Sequence, residues 1–352
     1  MLRDSAHIQE FEAEWRNRKA KRSGGEEYQP LYTMQDAEAA LALFHEVDYG
    51  ETVEVGPNIR ARFTDVGHLL GSASIELWVT EGEETRKIVV SADIGNTHQP
   101  RLRDPQPIHE ADYVVMESTY GDRSHGPRPD YVPALAAVLQ DTFDRGGNLV
   151  IPSFAVGRTQ EMLYFLRQIK EQNLVKGHGN FTVYVDSPMA VEATQVFKTS
   201  WAECYDEEAR TLVMQGVNPI NFRGLRLSLS SDDSKAINFD PEPKVILSAS
   251  GMCEAGRIRH HLKHNLWRSE CTILFVGYQA NGTLGRRLLE GEKNVKLFGD
   301  PIEVHARLES LHGVSGHADM NGLLKWVGAF RPPLDRVFVL PGAQPRTGQL
   351  AR

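Results

Sequence analysis

Between Gly146 and Gly291 the chain runs four times through the same local grammar. An apolar stretch is followed by a short turn of small residues and then by a segment with helical periodicity. The pairs are "GGNLVIPSF" with "GRTQEMLYFLRQIKEQN", "FTVYVDSP" with "MAVEATQVFKT", "KVILSASGM" with "EAGRIRHHLKHNL", and "CTILFVGY" with "GTLGRRLLEG". Strands separated by helices join through crossovers, which predicts a parallel sheet with helices packed on it. In such a sheet ligands bind at the carboxyl ends of the strands, where these small-residue turns lie.

The flanking regions read differently. "MQDAEAALALFHEV" (34–47) has helical periodicity, and "ETVEVGPNIRARFTDV" and "SASIELWVTEGEETRKIVVSADIG" alternate apolar and polar residues around turn signals, as antiparallel hairpins do. "ADYVVMESTYG" is a further strand ending at Glu117. Strand grammar returns from about residue 300 in "IEVHARLESLHGVSGH", followed by the helix "MNGLLKWVGAF" and the strand "RVFVLPG". The expectation is an α/β chain in three segments: a first domain over 1–121, an inserted α/β module over 122–298, and the return of the first domain over 299–352. "GDRSHGPRPD" (121–130) is the stretch most suited to a flexible connection.

The 352 residues include three scattered cysteines, Cys204, Cys253 and Cys271, with no CxxC pair. This pattern fits buried thiols in a reducing cytoplasm. No apolar run is long enough to span a membrane. A net charge of −8 argues against a polyanionic partner unless a local basic patch or a bound metal overrides the average. The densest basic segment is "RIRHHLKHNLWR" (257–268). On a helix, Arg257, His260 or His261, His264 and Arg268 would share a face. That face is either solvated surface or a phosphate contact. Arg158 and Arg286 stand near helix starts, where anions bind.

Four polar residues share one context, an apolar strand followed by a His or carboxylate and then small residues: His68 in "DVGHLLGSA", Asp93 in "VVSADIG", Glu117 in "VVMESTYG" and His317 in "GVSGHAD". Each alone could be a hydrogen-bonded structural residue. Together, imidazole and carboxylate suit zinc or manganese.

"DVGHLLGSASIEL", "SADIGN", "MESTYGDR", "IPSFAVGRTQEMLY", "SASGMCEAGRIRHHLKHNL", "GYQANGTLGRRLLEG" and "SGHADMNGLLKW" resemble the β-CASP branch of the metallo-β-lactamase superfamily, RNA-processing nucleases of bacterial and archaeal type. The resemblance implies a metallo-β-lactamase αβ/βα sandwich with an inserted β-CASP cap, and a di-zinc site between them that hydrolyses RNA phosphodiesters. It implies that His68 ligates one zinc, that Asp93 bridges both, and that Glu117 and His317 act beside the scissile phosphate, with His317 able to protonate the leaving oxygen. Arg158, Arg257, Arg268 and Arg286 would contact the substrate. The expected partner is single-stranded RNA, and a homodimer is compatible with this reading. The small residues around His68 would let a metal and a phosphate approach.

Two departures from the family pattern bear on activity. The metal motif H-x-H-x-D-H is absent, and Pro341 stands where a histidine is expected. On this reading the chain begins downstream of that motif, is a fragment with an incomplete site, and is inactive as it stands. The alternative is a non-catalytic RNA-binding or scaffolding relative that has lost its metals. A nucleotide-cofactor enzyme is disfavoured because no G-x-G-x-x-G follows any strand.

Overall fold

The computed structural model describes residues 1–23, 26–126, 129–311, 315–332 and 334–340. Pro341 lies outside them. The chain divides into two compact units, Met1–Asp48 and Tyr49–Arg352, so the segment expected as a single first domain is itself divided.

The first unit pairs helix α1 (Leu2–Ser23) with helix α2 (Met34–Leu41). Ala6, Ala13 and Ala37 are buried, small enough for the two helices to pack closely. Thr33 caps α2 in a reciprocal box with Asp36, satisfying amides that the first turn leaves open. The periodic segment predicts a helix to residue 47, yet α2 stops at Leu41. Leu43 and Phe44 are exposed, so no packing supports another turn.

The second unit opens with an antiparallel run, β1 (Thr52–Gly56), β2 (Ile59–Asp65), β3 (Ala73–Glu81) and β4 (Glu84–Val90). Gly82, at positive φ, supplies the two-residue turn between β3 and β4. β5 (Tyr113–Met116) then pairs parallel to β4.

The crossover units follow: α3 (Tyr131–Asp144), β6 (Leu149–Pro152), α4 (Arg158–Glu171), β7 (Thr182–Asp186), α5 (Pro188–Thr199), α6 (Trp201–Cys204), α7 (Glu207–Met214), β8 (Leu225–Ser228), α8 (Ser231–Phe239), β9 (Lys244–Ser248), α9 (Ile258–Asn265), β10 (Thr272–Phe275) and α10 (Leu284–Leu289). β11 (Asn294–Leu297) and β12 (Asp300–Glu303) form a small hairpin, and β13 (Arg307–Ser310), α11 (Met320–Val327) and β14 (Arg336–Val339) follow.

Two six-stranded sheets result, in the orders β1-β2-β3-β4-β5-β14 and β13-β10-β6-β9-β7-β8. Every pairing in the second is parallel, as the fourfold grammar predicts. Its strands β6, β9 and β10 are buried at every residue because helices cover both faces. Leu135, Leu163 and Val191 build the core on one face, and Ile258, Leu262 and Leu288 the core on the other. The first sheet packs Val89, Val114 and Met116 against Leu323 and Trp326 of α11.

β13 pairs with β10, so the parallel sheet takes its edge strand from the segment expected as the return of the first domain. Alternation alone announced a strand there but not which sheet would take it. β8 and helices α6 to α8 were also not anticipated, because their short amphipathic segments carry weak periodicity.

Candidate functional site

β2, β4 and β5 run in the same direction in the first sheet, so their carboxyl ends open on one edge. His68 follows β2, Asp93 follows β4 and Glu117 follows β5. His317 precedes α11 and is brought in by a bridge to Gly95, with Asn96 donating to the Gly316 carbonyl and Ala318 to that of Ile94. The four residues singled out by context thus meet at one edge. One ligand atom each from His68, Asp93 and His317 lie within 4.8 Å of one another.

The loop holding His68 is set by its own polar groups. Asp65 accepts from the Gly67 amide, and Ser72 Oγ accepts from the amides of His68 and Leu69. The smallness around His68 has a tertiary cause. A Cβ on Gly95 would lie 2.2 Å from the Gly67 carbonyl, and one on Gly316 would lie 3.1 Å from His68 Cε1. Backbone from two other loops presses on this histidine, which only glycine permits.

The two histidines are treated differently. His68 Nε2 stands 3.9 Å from Asp93 Oδ2, and its buried Nδ1 has no hydrogen-bond partner among the described residues. Burial first, and the nearby His317 second, push its pKa down and favour the neutral imidazole that ligates metals. His317 Nδ1 stands 3.3 Å from Glu117 Oε2. Burial opposes its charging, but the hydrogen bond and charge of Glu117 outweigh it and raise the pKa. Glu117 is almost fully buried. Burial would raise its pKa, yet contacts from His317 and the amides of Thr119 and Ile94 hold it below the usual carboxylate range. Asp93 is the exposed member, at 61% of its side chain.

His68, through Nε2, and Asp93 offer an imidazole and a carboxylate suited to a divalent transition metal, and His317, engaged by Glu117 through Nδ1, lies beside them. Their spread slightly exceeds the roughly 3.5 Å edge of a tetrahedral zinc site, so binding would draw them together. Residues 159–288 match the model of the Beta-Casp domain, and residues 301–352 that of the Zn-dependent metallo-hydrolase RNA specificity domain. Ribonuclease TTHA0252 of Thermus thermophilus is 37% identical over 301 residues, covering 85% of this chain and 67% of that protein.

The chain belongs to the β-CASP metallo-β-lactamase-fold ribonuclease family.

Other relatives widen the picture. Transcription termination factor FttA of Methanocaldococcus jannaschii is 31% identical across 89% of this chain and 50% of its own length, and an RNase J-like protein of the same organism is 29% identical across 88% and 70%. The chain thus spans about half the length of the termination factors it matches.

The basic residues of the β-CASP module are placed less as the sequence implies. His261 is fully buried, with Nε2 2.6 Å from Asp186 Oδ2 and Nδ1 2.8 Å from Asn238 Oδ1. Arg257 donates to Asp186 Oδ1 at 2.7 Å and to the Leu229 carbonyl. Arg268 pairs with Glu270 at 2.9 Å. The expected shared basic face of α9 therefore does not form, because the helix turns Arg257 and His261 inward to Asp186 at the end of β7. Arg158 pairs with Glu161, and Arg286 with Glu290. Arg158 is the first residue of α4 and Arg286 lies in the first turn of α10, the helices that follow β6 and β10.

Three residues near the site were missed. Gln99 donates to the Gly316 carbonyl at 2.8 Å. His125 Nε2 lies 3.1 Å from the His317 carbonyl oxygen, and the Tyr120 ring stacks edge-on against His125. Tyr120 adjoins the Glu117 motif, a usable signal. His125 fell in a Gly- and Pro-rich stretch that masks any periodicity.

Proposed function

We propose that this edge of the first sheet is a metal-assisted phosphodiesterase centre acting on single-stranded RNA, with zinc as the metal. The observation that carries the reading is the convergence of His68, Asp93 and His317 together with the Glu117 contact that holds His317. The β-CASP cap would extend over about 122–298, and the cytoplasm is the expected location; no helix among the described residues is long and apolar enough to cross a membrane.

His68 and Asp93 would hold the metal. When bound, the metal would polarise the phosphate and supply an activated water. Glu117, anchored by backbone amides, fixes the His317 ring through Nδ1 and leaves the other ring nitrogen to give a proton to the leaving oxygen. The crowded glycine loops keep His68 from swinging out of the site. Arg158 and Arg286 remain candidates for phosphate contact. Arg257 is withdrawn because the buried Asp186 and the Leu229 carbonyl hold its guanidinium, and Arg268 because it stands at the amino end of β10, away from the carboxyl ends of the strands.

The sequence contains no H-x-H-x-D-H, so few donors are available. We therefore expect this chain to bind less than two zinc ions, weakly, and to turn over slowly or not at all. A second reading, an RNA-binding relative without turnover, draws on the same absence. Elemental analysis after zinc loading, with cleavage of a labelled single-stranded RNA by wild type and Asp93→Asn, separates them. Zinc-dependent cleavage lost in Asp93→Asn supports the phosphodiesterase. RNA binding with no cleavage product from either zinc-loaded protein supports the second reading. Two tightly held zinc ions per chain would overturn the ligand count.

A further inference from the structure

The parallel sheet changes direction between β10 and β6. From β6 the chain crosses toward β7 and β8, whereas from β10 it leaves for β13 at the opposite edge. α4, which follows β6, packs into one core, and α10, which follows β10, packs into the other. Such a reversal opens a crevice outside the carboxyl ends of the two strands, where ligands of open α/β sheets bind.

Each of the two loops bordering this crevice exposes one large aromatic side chain. Phe154 is 44% exposed and Tyr278 is 51% exposed, although Leu149–Ser153 and Cys271–Val276 are buried throughout. Phe154 lies against backbone. A Cβ on Gly251 would sit 3.2 Å from Phe154 Cδ2, and one on Gly277 would sit 4.0 Å from its Cε2. Glycines at both strand ends let the ring rest there. Tyr278 is the next residue after Gly277.

The loop that carries Phe154 borders the metal cluster. A Cβ on Gly157, three residues beyond Phe154, would meet the side chain of Leu69, the neighbour of His68.

We propose that Phe154 and Tyr278 form an aromatic platform that stacks the bases of single-stranded RNA beside the metal centre. The proposal rests on the RNA reading above and adds how the strand is gripped. Large aromatic faces left open to water at a switch-point crevice match the stacking surfaces that hold unpaired bases. Stacking tolerates any base, so the grip would be largely indifferent to sequence.

Fluorescence anisotropy with two probes tests this: a labelled oligoadenylate of about a dozen nucleotides, and a ribose-phosphate oligomer of the same length lacking bases. Phe154→Ala and Tyr278→Ala should each weaken oligoadenylate binding about tenfold or more and leave base-free binding unchanged. Phe154→Trp and Tyr278→Phe should retain wild-type affinity. Equal losses on both probes, or no loss on either, would overturn the platform. Wild-type protein that binds both probes equally removes the platform alone. Wild-type protein that binds neither removes the RNA reading together with it.

Discussion

The imidazole rings of His68 and His317 lie 4.4 Å apart, inclined at 51°, and only one of them has a carboxylate against its Nδ1. Glu117 holds His317, whereas the Nδ1 of His68 is buried beside the Gly316 backbone. Two adjacent histidines with unlike partners can take unlike roles, one as a ligand and the other as a proton carrier.

That division can be read in zinc affinity. His68→Ala and Asp93→Asn should weaken zinc binding by about a hundredfold or more, beyond what loss of a supporting hydrogen bond costs. His317→Ala should stay within a few-fold of wild type while lowering any RNA cleavage by about 10²–10⁴-fold. Competition with a chromogenic chelator measures the first and a labelled-RNA assay the second. Equal zinc loss in all three variants would remove the distinction.

The glycines around His68 should differ sharply in tolerance. Gly95→Ala places its methyl group 2.2 Å from the Gly67 backbone and should cost about 3 kcal/mol or more through overpacking. Gly71→Ala meets nothing within 4 Å but sits at φ +80°, so only the left-handed strain of about 1–2 kcal/mol applies. Urea denaturation of the two variants ranks them, and the reverse order would contradict the close approach.

Acid stability should depend on Glu76, which is 1% exposed on β3. Burial alone would raise its pKa, but hydrogen bonds from Arg62, Lys87 and Thr64 reverse this and bring it to about 2. A depressed folded-state value contributes stability above the unfolded value of 4.5, and that contribution is lost as pH falls toward 2. The difference corresponds to a contribution of order 3 kcal/mol. Glu76→Gln should lack this component, so the wild-type advantage should shrink between about pH 4.5 and pH 2. Denaturant midpoints at several pH values check it, and a constant gap would be evidence against the linkage.

Asp186 should prove structural rather than substrate-binding. It is fully buried, and although burial opposes ionisation, hydrogen bonds from His261, Ser234 and Ser228 hold it well below the ordinary carboxylate range. Asp186→Ala strands the Arg257 guanidinium without its counter-charge and the His261 ring without its hydrogen-bond partner, and should cost about 3–5 kcal/mol. Arg257→Ala should also destabilise, yet leave the salt dependence of RNA binding unchanged, because Asp186 and the Leu229 carbonyl already hold that guanidinium. A shallower salt slope in Arg257→Ala would restore it to the RNA surface.

Sequence by itself determined the repeated strand-helix units, hence a parallel sheet, because burial on both faces demands continuous apolar strands and crossovers. It also marked His68, Asp93, Glu117 and His317, since a polar group closing an apolar strand stands out locally. Long-range geometry was not legible there. Only the tertiary structure decided that β13 joins the inserted sheet, that Gly95 and Gly316 pack on His68, and that Glu117 selects His317 rather than His68 as its partner. The same holds for the α9 cations, whose spacing announced a basic face. Asp186, supplied by a strand distant in sequence, turned Arg257 and His261 inward. Periodicity reports which residues share a face of one element, whereas the partner of a charge is set by which elements meet, and there a buried carboxylate overrides local pattern.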